Sequence, residues 1–236
     1  MNTSIIHSTI LAFILALILS GCSASTEPMP IATYHTPQSG DSYTYHEYQT
    51  ELDGTMIPDT DTTLVASVGA TLPTFGGVSD VSQIFKNADT TYLKVKTDSS
   101  FMQMQNEIAI TASVKIPALW ISYSPQTNSI ILDTTVSSFI SGMPAKFHTT
   151  ISIDYVGRNS VVVGGVTLKT LKFSRIEVVV VTVFGTDYTT TVTVESEYAP
   201  TIGYVASNTV TFSSDSPQSP VPNGIHYSKL TNYTIH

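Results

Sequence analysis

The chain reads as an all-β, mainly antiparallel domain. Its expected form is a strongly curved meander sheet or open half-barrel, with at most one or two short helices. Three observations predict this. Apolar residues recur with period two in most runs after residue 40. The runs are joined by hairpin-length turns rather than by the alternating helices a parallel sheet needs. Charged residues make up only 12% of the chain, and Thr, Ser and Tyr, which suit pleated surfaces, fill strand positions in their place.

Taken in order, Ser42–Thr50 is an extended strand with Tyr43 and Tyr45 on one face. Asp53-Gly54 and Pro58-Asp59 mark turns, and Thr63–Val68 is a second strand. Pro73 to Gly77 reads as a loop. Asp80-Val81-Ser82-Gln83 resembles a helix capping box, so one short helix is expected there, ending near Asn87 with Val81, Ile84 and Phe85 inward. Thr90–Thr97 alternates, with Leu93 and Val95 inward and Lys94 and Lys96 outward. Glu107–Ile116 has the cleanest alternation, and Pro117 stops it. Leu119–Tyr123 and Ser129–Val136 continue the sheet, and Phe147–Tyr155 alternates again.

Gly164-Gly165 supplies the positive φ angles of a tight hairpin between Ser160–Val163 and Val166–Phe173. Arg175–Phe184 is apolar on both faces, which predicts a central, covered strand. Gly185-Thr186-Asp187 reads as a three-residue turn into Tyr188–Glu197, where Val192 and Val194 face inward. Thr201–Phe212 and Ile225–Ile235 complete the sheet around a Ser/Pro loop over 213–224.

The N-terminal segment differs in kind. Ile10 to Leu19 is an unbroken apolar run of ten residues, half the ~20 needed to span a bilayer. It fits the apolar core of a secretory signal, although no Lys or Arg precedes it. Leu19-Ser20-Gly21-Cys22 closes the run and holds the chain's single cysteine. This stretch resembles the lipobox of bacterial lipoproteins. The resemblance implies cleavage between Gly21 and Cys22, and lipidation of the Cys22 thiol and amine, palmitate included. It also implies anchorage in the cell envelope, and Ser23 after the cysteine is compatible with the outer membrane. Two or more acyl chains make such anchorage stable.

The resulting organisation is a signal peptide over 1–21, a lipidated cysteine and tether over 22–40, and one β domain over 41–236. Residues 23–40 are small, polar and punctuated by Pro28, Pro30 and Pro37. As a coil they reach roughly 23 Å. No disulfide is possible with one cysteine, so packing and sheet hydrogen bonds must hold the domain.

All of the net charge of −8 lies before Lys86: residues 22–85 hold eight acids and no Lys or Arg, and 86–236 hold ten of each sign. That pattern argues against a nucleic-acid partner, which needs clustered bases.

Motifs for catalysis are missing. There is no Gly-x-Gly, no Gly-x-Ser-x-Gly and no Ser-x-x-Lys. Histidines 35, 46, 148, 226 and 236 show no helical metal pair. No enzymatic activity and no cofactor are expected. His46 beside Glu47 is a possible acid–base pair. His148 and Asp154 share a strand face but lie about 20 Å apart. Two or more of His46, Glu47, His148, Asp154 and Glu177 gathered in one cleft would point to an enzyme instead. Asp53, Asp59 and Asp61, with Glu51, offer oxygen ligands that could suit calcium, although an Asx turn is the simpler reading.

Over residues 161–235, Val163-Gly164-Gly165-Val166 through Phe173 and then Tyr198-Ala199-Pro200-Thr201-Ile202-Gly203-Tyr204-Val205 resemble uncharacterised bacterial envelope lipoproteins. Some of these are similar to periplasmic lipoprotein carriers, whose half-barrels hold acyl chains. The resemblance implies a concave face for a hydrophobic small molecule or an envelope protein. Trp120, Tyr123, Tyr43, Tyr45 and Phe147 are the aromatics that could line it. The alternative is a structural or adhesive envelope protein without a pocket.

Overall fold

The computed structural model describes residues 34–97, 99–105, 108–109, 115–116, 118–140, 142–216 and 222–236. The signal peptide, Cys22 and the tether up to residue 33 lie outside the described residues, as does most of Glu107–Ile116, whose described ends pair antiparallel with each other (Ile108 with Ile116, Ala109 with Lys115), so that run is not the single strand expected.

The domain is all-β. Its strands are β1 (Ser42–Thr50), β2 (Thr62–Val68), β3 (Leu72–Phe75), β4 (Val78–Lys86), β5 (Asp89–Thr97), β6 (Ser100–Gln105), β7 (Ile108–Ala109), β8 (Lys115–Ile116) and β9 (Leu119–Tyr123). There follow β10 (Asn128–Ile140), β11 (Met143–Val163), β12 (Val166–Val183), β13 (Thr186–Ala199), β14 (Tyr204–Ser214) and β15 (Gly224–Thr234). Among the described residues the main sheet runs β10-β11-β12-β13-β14-β15-β1-β2-β4-β5-β6-β9, with β3 on the side of β4. Every pair is antiparallel. The two edges, β9 and β10, are consecutive in the chain. The sheet therefore curls into a nearly closed barrel with one unsealed seam.

Alternation places the core as expected in β1 and β5. Tyr43 and Tyr45 are buried, as are Leu93 and Val95. Inside the barrel Phe101 stacks on Tyr123 (4.6 Å) and Tyr198 (4.1 Å) and meets the edge of Phe173 at 5.8 Å. Tyr43, Phe101, Phe173 and Tyr198 are each 0–1% exposed. A smaller cluster lies apart from this core: Ala145 and Phe147, with Ile140, Val181 and Val183 against them.

Several expectations are corrected. Residues 80–87 are not a helix. Asp80 takes a φ of 51° and bends β4 there. Val78–Val81 pairs with β3, and Ser82–Lys86 with β5. The bend changes the strand's phase, so Val81 and Ile84 are both buried at a helix-like spacing while Phe85 lies outside over Gly69. Pro73 to Gly77 is not all loop, since Pro73, Thr74 and Phe75 belong to β3.

The runs 147–155 and 160–163 form one strand, β11, continuous through a bulge at Gly157. Of Arg175–Phe184, the part up to Val183 is the second half of β12, flanked on both sides but only half-buried. The turn after it is Phe184-Gly185, because Thr186 and Asp187 already pair with Val183 and Thr182. Thr201 and Ile202 lie in a 3₁₀ turn, Pro200–Ile202, before β14.

The segment from Tyr34 to Gly40 is no free tether. The His35 N–H donates to Pro200 O (2.9 Å), and Ser82 Oγ donates to Pro37 O (2.6 Å). Pro37 is buried. This strap crosses the barrel end that carries the 3₁₀ turn.

Candidate functional site

The five aromatics singled out for a groove do not line one together. Tyr43 and Tyr45 project from β1 into the barrel, where their hydroxyls donate to Ile202 O (2.9 Å) and Val205 O (2.6 Å). Tyr204 fills the space between them, 4.9 Å from Tyr43 and 6.3 Å from Tyr45. Tyr123 is buried under Phe101 and Phe173. Phe147 belongs to the separate cluster. Trp120 has the opposite parity to Tyr123 on β9, so it lies on the outer face, where its Nε1 donates to Gly76 O at 3.1 Å. These side chains pack or bond to backbone instead of facing an open groove.

Burial raises the phenols. Tyr204 is pushed up to about 12, by burial first, although a Thr91 hydrogen bond opposes it. Tyr43, Tyr45 and Tyr198 are raised as well, again by burial first. Tyr123 is also raised by burial, and nearby Arg175 works against the rise. None of these phenols can act as a base near neutral pH.

The polar chemistry inside the barrel sits at two places that alternation alone did not reveal. At the first, Glu47 follows Tyr43 and Tyr45 on the inner face of β1 and is buried. Lys86 Nζ donates to Glu47 Oε1 and to Ser228 Oγ (3.2 Å), and lies 4.7 Å above the Tyr45 ring. His226 Nε2 is 3.5 Å from Glu47 Oε2. Burial pushes the Glu47 carboxyl up. Hydrogen bonds from Lys86 and Ser228, with the charges of Lys86 and His226, outweigh that and hold it below the usual range. Glu47 is thus a carboxylate at neutral pH and not a proton donor. Ser228 lies within reach of Lys86, but the ion pair with Glu47 leaves no free amine to activate it.

At the second, Arg175 Nη2 lies 3.0 Å from Glu177 Oε1, and Arg175 Nη1 donates to Gln105 Oε1 at 2.6 Å. Both ionic side chains are largely buried. They face inward on β12, although the run Val178–Val181 that follows makes the segment read as apolar on both faces.

His46 does not pair with Glu47, which points to the other face. It meets Asp61 at 2.8 Å. His148 meets Asp133 across β10 and β11 at 2.7 Å, not Asp154. Both pairs are exposed, and no second catalytic group joins either. Asp53 accepts the Thr55 N–H at 2.8 Å, the geometry of an Asx turn. With Asp61 turned to His46, the Asp53, Asp59 and Asp61 loop does not converge on one point. Among the described residues no group of three or more His, Cys, Asp or Glu side chains could hold a metal ion.

No family model, curated protein or solved structure matches the chain.

Proposed function

We propose that this chain is a bacterial lipoprotein held in the cell envelope, on the outer membrane, through the lipid on Cys22. Its barrel is a rigid structural or adhesive module without enzymatic activity. The observation that carries the choice over a carrier is the filled interior. Tyr43, Phe101, Phe173 and Tyr198 occupy the place where a carrier would keep room for acyl chains. The ion pairs found inside are structural in their bonding, with no activated nucleophile beside them.

A carrier of a hydrophobic small molecule is the second reading. It draws on the separate Phe147 cluster and on the seam between β9 and β10.

Metabolic labelling with palmitate in a lipoprotein-processing bacterium tests the anchor. The chain takes up label, and Cys22→Ala abolishes it. Label that survives Cys22→Ala, or no label in the unsubstituted chain, sinks the proposal.

A further inference from the structure

The end of the sheet remote from the strap carries an exposed apolar row. β13 runs from Thr186 beside the β12–β13 turn to Ala199 beside the strap, fourteen residues. The two ends are therefore roughly 40 Å apart along the strand. At the far end Phe139 pairs with Pro144. Ala145 pairs with Val183, so Pro144 stands level with Phe184 one step further on. Phe139, Pro144 and Phe184 thus lie in one row across three adjacent strands, with about 10 Å between the two rings. Phe139 is 64% exposed and Phe184 78%, and Pro144 is exposed as well.

Phe184 breaks a local rule. It opens a two-residue hairpin turn with a φ of 51°, followed by Gly185 at 78°. Asn or Asp before Gly is the natural choice in such a turn. The other described non-glycine residues with positive φ are Asp59, Asp80 and Asn87, which tolerate that conformation. A bulky apolar side chain held at the apex, in a conformation it rarely adopts, is an outlier that points to use.

We propose that these two hairpin tips insert into the acyl region of a phospholipid bilayer. The geometry favours lipid over a folded partner. A stable protein interface takes roughly 800 Å² from each side, and three side chains at a convex tip offer about half of that. A bilayer needs no matching surface, so a convex apolar tip suits it. The charges near the row are mixed. Lys146 follows Pro144 on the same face, and Asp187 is held by Thr182 Oγ1 at 2.6 Å. Insertion is therefore expected into zwitterionic lipid and to be insensitive to salt. The inference does not depend on Cys22, because it rests on Phe139, Pro144 and Phe184 alone.

The test uses the full chain in a Trp120→Phe background, with Phe184→Trp as the reporter and Val166→Trp as the control at the strap end. Each is mixed with phosphatidylcholine vesicles whose acyl chains carry bromine. The indole at position 184 should be quenched, the one at 166 should not, and molar salt should leave this unchanged. Phe139→Asp added to the reporter should remove most of the quenching at position 184, with circular dichroism unaltered. An unquenched reporter overturns the proposal, including the case in which two copies join through their tips. Quenching at 166 alone also overturns it, since the strap end and not the tips would then meet the lipid.

Discussion

Asp41 holds His236 in place: the His236 backbone N–H donates to Asp41 Oδ1 at 2.9 Å across 195 residues of chain. The other carboxylate oxygen takes His35 Nε2 (2.5 Å) and the Gln38 N–H (2.9 Å). The Asp41 backbone O accepts from Val68 N–H at 3.0 Å. One buried residue thus joins the strap and His236 through its side chain, and β2 through its backbone. Asp41→Ala leaves donors of Gln38 and His236 without their acceptor. It should cost about 3 kcal/mol, read from the denaturant midpoint at unchanged slope. Limited proteolysis should then cut between residues 34 and 40. Unchanged stability and protection would show that the strap is held by other contacts.

Gly203 makes the strap possible. It has a φ of 68°, and a Cβ there would sit 2.2 Å from His35 O. Gly203→Ala should cost about 2–3 kcal/mol, from overpacking and from a strained backbone. Gly77→Ala is the control, since it also has a positive φ but open space around it. It should cost clearly less in the same thermal melt.

Two buried tyrosines should respond in opposite ways to loss of the hydroxyl. Tyr43 donates to Ile202 O, whereas the buried Tyr198 hydroxyl has no partner among the described residues. Tyr43→Phe should destabilise by about 1–2 kcal/mol, and Tyr198→Phe should be neutral or stabilising. Equal losses at the two positions would mean that the Tyr198 hydroxyl has a bond in solution.

Glu47 should give the domain an acid-sensitive contribution. Its pKa is lower in the folded protein than in the unfolded chain. The unfolded chain therefore binds the proton more readily, and stability rises with pH across the window. The contribution is complete above the ordinary carboxyl value of 4.5 and is lost as pH falls through the lower folded value. Glu47→Gln should cost about 1–2 kcal/mol at pH 7, with the gap from the parent closing as pH falls below 4.5. A gap that stays constant over that range would contradict the ion pair with Lys86.

The sequence was most readable where strands are half-buried and regular. Tyr43 with Tyr45, and Leu93 with Val95, show their inner face by alternation alone, and Gly164-Gly165 announces its hairpin. Bulges defeat the same reading. The bend at Asp80 turned a strand into an apparent helix, and Gly157 made one long strand look like two. Burial of charge was hidden for a different reason. Glu47, Lys86 and Arg175 look like surface residues until the curled sheet brings distant partners together, Glu47 with Lys86 across 39 residues and Arg175 with Gln105 across 70. The aromatics were the reverse case. Their types suited a groove as well as a core, and only packing distances separate the two.

The measurement that tests the account most directly is intact-mass spectrometry of the chain purified from native membranes in gentle detergent, first under native conditions and then denatured. The filled barrel predicts a denatured mass beginning at Cys22 with its acyl chains, and a native mass that adds nothing to it. A second, releasable lipid-sized mass in the native spectrum would contradict the filled module and restore the carrier.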